Sequence, residues 1–194
     1  AKIEAIRQEI LALTGTKLYE LRVEHDYKPV IGAGSLHAPV MFIGEAPGKN
    51  EAETGKPFVG ASGRVLDELL ASIDMTRDDV YITNIVNDRP PKNRDPRKAE
   101  LELYAPFLDR QIEIIQPKVI ATLGRFSMAF ILKRFDVPEQ KGKISELHGT
   151  LITAKAGYGP VKLLPLYHPA ASLYNPGQKP TLFEDFKQLK AAIS

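Results

Sequence analysis

Four short segments bring together residue types that chemistry uses: Gly44-Glu45-Ala46-Pro47-Gly48, Asn84, Gly124-Arg125-Phe126-Ser127 and His168-Pro169. A carboxylate can orient or deprotonate water, an imidazole can donate or accept a proton, and an amide offers a donor and an acceptor side by side. Taken singly, each has a plain structural explanation: a strand-to-helix turn, a turn-forming asparagine, a helix cap and a histidine satisfied by backbone. Together they carry more weight, because each follows directly on a short apolar run.

Those runs define the elements that must position the four segments. Val40–Ile43, Val80–Thr83, Val119–Leu123 and Leu163–Tyr167 read as strands buried on both faces. Between them, Ala61–Ile73, Arg97–Gln116 and Phe126–Phe135 carry apolar residues at helical spacing. The alternation predicts an α/β fold of three layers (α/β/α) around a central, mostly parallel, four-stranded sheet. In such sheets ligands bind outside the carboxyl ends of the strands, so all four segments fall on one edge. Ile3, Ile6, Ile10 and Leu13 mark an N-terminal helix with Gly15 as its stop. Ile144–Thr153 is read as a further strand pair and Thr181–Ile193 as a closing helix. No repeat or linker divides the chain, so residues 1–194 are expected to form one domain.

Composition mainly excludes. Lys and Arg number 26 against 24 Asp and Glu, and a net charge of +2 does not by itself identify a nucleic-acid partner. Charge is concentrated locally: the loop Asp88–Lys98 (DRPPKNRDPRK) holds five basic and two acidic residues. Absence of cysteine removes disulfides, thiolate nucleophiles and Cys-ligated metals, and no His/Asp/Glu cluster has metal-ligand spacing, so no metal or cofactor is expected. Neither a signal peptide nor a window of about 18 apolar residues occurs, so a soluble, cytoplasmic protein without a membrane partner is expected. His25, His37 and His148 read as surface or structural residues. A dinucleotide-binding enzyme is disfavoured because no G-x-G-x-x-G follows the first strand.

The segments also match a known family. Gly44–Gly63, GEAPGKNEAETGKPFVGASG, resembles the first motif of family-four uracil-DNA glycosylases. Tyr81–Pro96 (YITNIVNDRPPKNRDP) is similar to the second block of that family, and Leu166–Pro176 (LYHPAASLYNP) to its HP-containing third motif. With Pro117–Gly124 (PKVIATLG), the resemblance spans nearly the whole chain. It departs in one respect above all: the family carries a four-iron cluster on four cysteines, and those positions here are Leu13, Thr16, Asp88 and Tyr104. None supplies a thiolate, so the cluster is expected to be absent. Retention of Leu18 and Arg22 suggests a refilled pocket, with Leu13 and Tyr104 packing and Thr16 and Asp88 finding polar partners. Glu51-Ala52 replaces the family's Glu-Asp, and Ser172-Leu173-Tyr174 stands where Leu-Leu-Arg is common.

The resemblance implies roles. Uracil-containing DNA is the expected partner of a monomeric enzyme that removes the extruded base by hydrolysis. Phe58 is the stacking residue, and Asn84 reads the uracil edge in a pattern that cytosine reverses. Gly44 and Ala46 complete the base pocket with Glu51, placed to exclude thymine. His168 and Glu45 are the catalytic pair, one donating to the 2-carbonyl, the other serving the water and the sugar's positive charge. Arg89, Lys92, Arg94, Gly124, Arg125 and Ser127 are expected on phosphates, and Leu173 as the wedge in the vacated stack. Two alternatives stay open: excision of another deaminated base such as hypoxanthine or xanthine, and a catalytically silent DNA-binding module of the same fold.

Overall fold

The computed structural model describes residues 1–194. In chain order it comprises α1 (Lys2–Leu11), α2 (Lys17–His25), β1 (Ala33–Gly34), β2 (Val40–Gly44), α3 (Lys49–Thr54), α4 (Ala61–Ala71), β3 (Tyr81–Asn84), α5 (Lys98–Ile115), β4 (Val119–Leu123) and α6 (Arg125–Arg134). There follow α7 (Ile144–Leu147), β5 (Ile152–Ala156), β6 (Gly159–Leu166), α8 (Ala171–Tyr174) and α9 (Lys179–Ile193). The sheet has six strands, in the order β1-β3-β2-β4-β6-β5, rather than the expected four. Its four inner strands are parallel, as expected, and the two additional strands are antiparallel edges.

Period-two alternation explains the layering. Met41 and Ile43 of β2 point into one core with Tyr81, Ile120 and Leu163, against α1, α2, α5 and α6. Val40 and Phe42 point the other way with Ile82, Ala121 and Leu164, against α4 and α9. Apolar residues are needed on both faces, so the inner strands are largely apolar.

Two readings are corrected. Ile144–Thr153 forms no strand pair: it supplies the helical turn α7 and the start of β5, whose partner is β6. Ile152 and Ala154 are buried while Thr153 and Lys155 face solvent, the pattern of an edge strand. Gly15 does not end α1, which stops at Leu11; with φ of +79° it turns the chain into α2. That second helix escapes periodicity because its buried positions are Leu18 and Arg22, one of them charged.

Candidate active site

The carboxyl ends of the four parallel strands do share one rim. Gly44 stands beside Asn84, and Leu123 beside Leu166. A cavity of about 240 Å³ opens there, lined by Glu45, Ala46, Pro47, Gly48, Glu51, Phe58, Ser62, Asn84, Pro90, Asn93, Arg94, Asp95 and His168. Glu45, Phe58, Asn84 and His168, which lie up to 123 residues apart in the chain (168 − 45), thus meet in one space.

Asn84 is 3% exposed, yet its amide makes no hydrogen bond within the protein. The amide faces the cavity instead, leaving its donor and acceptor open to a bound molecule. Gly44 makes room for it: a Cβ at Gly44 would lie 2.4 Å from the Asn84 Oδ1 and 3.1 Å from the Phe58 ring. The Phe58 ring stacks on His168 at a centroid distance of 5.7 Å and 28° between planes.

His168 is set by its own loop. The Ala170 N–H donates to His168 Nδ1 at 3.0 Å, which leaves the ring proton on Nε2 and makes that nitrogen the free donor. Burial pushes the imidazole below its ordinary pKa, so the neutral form prevails near pH 7. Gly124, at φ of +97°, backs the ring: a Cβ there would lie 3.3 Å from that of His168.

Glu45 shows the opposite shift. Burial, then a hydrogen bond and charge repulsion from the Asp95 carboxyl, raise its pKa to about 7, with Arg125 pulling weakly the other way. A carboxyl poised there exchanges its proton near neutrality. Glu51 lines the same cavity, but its carboxylate accepts from the N–H groups of Gly48 (3.0 Å) and Val59 (3.2 Å), tying the Glu45 turn to the Phe58 segment.

The residues expected on phosphates divide. Arg94 forms a two-pronged ion pair with Glu100 (2.7 and 2.9 Å), and Arg89 donates to Asn93 Oδ1 and to the Tyr27 hydroxyl, both at 2.8 Å. These two guanidinium groups shape the loop. The Ser127 hydroxyl is buried and turned back onto the Leu123 carbonyl at 2.9 Å. Lys92 and Arg125 are exposed and make no ion pair. Leu173, 47% exposed, and Tyr174, 88% exposed, project from α8 outside the cavity lining. Sequence reasoning missed Ser62, which reaches the cavity from the first turn of α4, and Asn93 and Asp95, which reach it through the loop after β3. Lys92 and Asn93 are both left-handed, with φ of +52° and +57°, and fold the loop back over the pocket.

The family model of the uracil DNA glycosylase superfamily matches residues 31–190. The chain therefore belongs to that superfamily, as its motifs had suggested. Among curated relatives it is 42% identical to the type-4 uracil-DNA glycosylase of Sulfurisphaera tokodaii over 189 residues, covering 97% of this chain and 83% of that one. It is 41% identical to the type-4 enzyme of Saccharolobus solfataricus (99% and 87% covered), and 41% to that of Archaeoglobus fulgidus (96% and 91% covered).

The residues at the four cluster positions do not fit a cluster. Tyr104 is fully buried and its hydroxyl donates to Asp88 Oδ2, while Arg22 Nε lies 3.0 Å from Asp88 Oδ1. The Arg22 guanidinium also donates to the Ile10 carbonyl at 3.0 Å and more weakly to that of Leu11, holding the end of α1. Thr16 caps α2, its hydroxyl accepting from the Tyr19 N–H at 3.0 Å, and Leu13 packs on the apolar core. An organic network of buried bonds thus links α1, α2, α5 and the loop after β3. Burial pushes the Asp88 carboxyl up, against the pull of Tyr104 and Arg22.

Proposed function

We propose that this protein is a DNA repair enzyme that hydrolyses the N-glycosidic bond of uracil turned out of DNA, leaving an abasic site. The observation that carries the reading is the convergence of Glu45, Phe58, Asn84 and His168 on one cavity. Phe58 and Asn84 would serve binding alone, whereas Glu45 and His168 are groups that hydrolysis needs and a silent binding module does not.

Extrusion costs a few kcal/mol of lost stacking and pairing. The Phe58 ring and the Asn84 amide compensate for it, the first by covering the flat face of the base. The amide donates to the 4-carbonyl and accepts from the ring N–H; cytosine presents these in reverse. Gly44 leaves space for both side chains, and Ala46 presents backbone to the base. Glu51 and the two N–H groups it binds form the wall that excludes the methyl group of thymine.

As the bond from C1′ to the base breaks, negative charge grows on uracil and positive charge on the sugar. The His168 Nε2–H donates to the 2-carbonyl, a bond that strengthens as the anion develops in a site shielded from water. The Glu45 carboxylate faces the sugar's positive charge and accepts the proton of the water whose oxygen bonds to C1′. Lys92, Arg125 and the first free N–H groups of α6, at Arg125–Ser127, meet phosphates, while the Gly124 N–H is held by the Leu166 carbonyl at 2.9 Å. Arg89 and Arg94 hold the loop beside them, and Leu173 fills the emptied stack. Residues 1–194 act as one domain and as a monomer, and no helix is long and apolar enough to cross a membrane.

The reading is tested by incubating the protein with duplexes bearing uracil, hypoxanthine or xanthine and then treating with alkali. Scission at uracil is expected. Scission confined to the other two bases would move the assignment to them, and none at all would remove it.

A further inference from the structure

The Phe58 turn rests on a cation that the roles above do not use. Phe58 has φ of +51°, a left-handed conformation that strains a bulky residue and persists only where the surroundings impose it. Arg77, in the turn before β3, supplies that imposition. Its Nη1 donates to the Pro57 carbonyl at 3.0 Å, and its Nη2 donates to the carbonyls of Phe58 and of Gly63, the latter at 3.1 Å. Its Nε pairs with the Asp67 carboxylate on α4.

Three carbonyl dipoles therefore converge on one planar fork, two of them from consecutive residues. Without a cation between them they would repel each other and relax the turn. Gly63 closes the arrangement from behind, since a Cβ there would lie 1.9 Å from the Phe58 carbonyl oxygen and 2.9 Å from Arg77 Nη2. The ring carried by this turn lies against Gly44 and His168. Arg77 is not among the residues that line the cavity.

We propose that Arg77 is a positioning residue for base recognition: by gathering the carbonyls of Pro57, Phe58 and Gly63 it holds the Phe58 ring where an extruded base must stack. It acts through Phe58 and not through DNA binding. The inference rests on the glycosylase reading above and deepens it.

A double-mutant cycle tests it, with Arg77→Met, Phe58→Ala and the pair together. Two readouts are taken: the rate of uracil excision, and affinity for a duplex carrying a tetrahydrofuran abasic analogue, which has no base to stack. Misplacing the ring is expected to cost up to about 100-fold in kcat/KM. The double variant should be no slower than Phe58→Ala alone, and abasic-duplex affinity should remain that of the unaltered protein. If Arg77→Met does not fold, Arg77→Lys replaces it in the cycle, since an ammonium cannot reproduce the planar fork.

Losses that multiply in the double variant, or abasic-duplex affinity that falls in step with excision, would overturn the role of Arg77 while leaving the enzyme reading intact. Failure of the unaltered protein to excise uracil would overturn both.

Discussion

Asn84 is buried and His168 half-buried, and their polar groups are satisfied in two different ways, a difference that bears on catalysis. The histidine has one nitrogen satisfied by its own loop and one left free, whereas the asparagine amide is free throughout. Asn84→Asp presents a carboxylate that cannot donate to the 4-carbonyl. Uracil excision by that variant should fall ~100-fold or more, as when a preorganised donor is removed, and weak cytosine excision is the gain to look for. Uracil kinetics equal to those of the unaltered protein would refute the edge-reading role. Glu45 allows a test in pH. It acts as a carboxylate with a pKa raised to about 7, so kcat/KM should rise with pH through that value. The Asp95 carboxyl favours the protonated form of its neighbour. Asp95→Asn removes that negative charge, lowers the Glu45 pKa and should move the acid limb of the profile to lower pH. A profile that stays in place would separate Asp95 from Glu45.

Between elements, the buried Arg22–Asp88–Tyr104 network does the work of joining α1, α2, α5 and the loop after β3. Removing one partner of a buried ion pair strands the other charge, so Asp88→Ala should cost ~3–5 kcal/mol. Urea unfolding would register this as a lower midpoint at unchanged slope. An unshifted midpoint would mean that the network is ornamental. The same region shows what the sequence made legible and what it did not. The inner strands were readable because burial on both faces makes each largely apolar; Glu45, Asn84 and His168 stood out because they sit at strand ends, whereas Glu51 and Phe58 entered only through the family resemblance. Helix α2 was hidden because it buries Arg22, and β1 because two residues carry no period. Nothing in a linear reading says that Glu100, six residues on, holds Arg94 in a two-pronged ion pair. Asp95 looked like a loop charge, because only the left-handed pair Lys92–Asn93 turns it toward Glu45.

Across the whole molecule, a net charge of +2 gives little general attraction to DNA, so grip must come from a few exposed cations beside the rim. Lys92→Asn removes one of them with a residue that tolerates the left-handed backbone. Duplex affinity should weaken for every sequence alike, and the slope of log K against log salt should shrink by about one phosphate contact. An unchanged slope would take Lys92 off the DNA. The cysteine-free network implies that purified protein carries no stoichiometric iron and keeps its fold in chelator, which elemental analysis and thermal melting would check. The most direct measurement concerns the shared cavity itself. A duplex with one uracil is incubated with the unaltered protein and with the Asn84→Asp, His168→Ala double variant, and then treated with alkali. The expected result is scission at the uracil by the unaltered protein and near-complete loss in the double variant. No scission by the former, or equal scission by both, would contradict the assignment of this pocket to an extruded base.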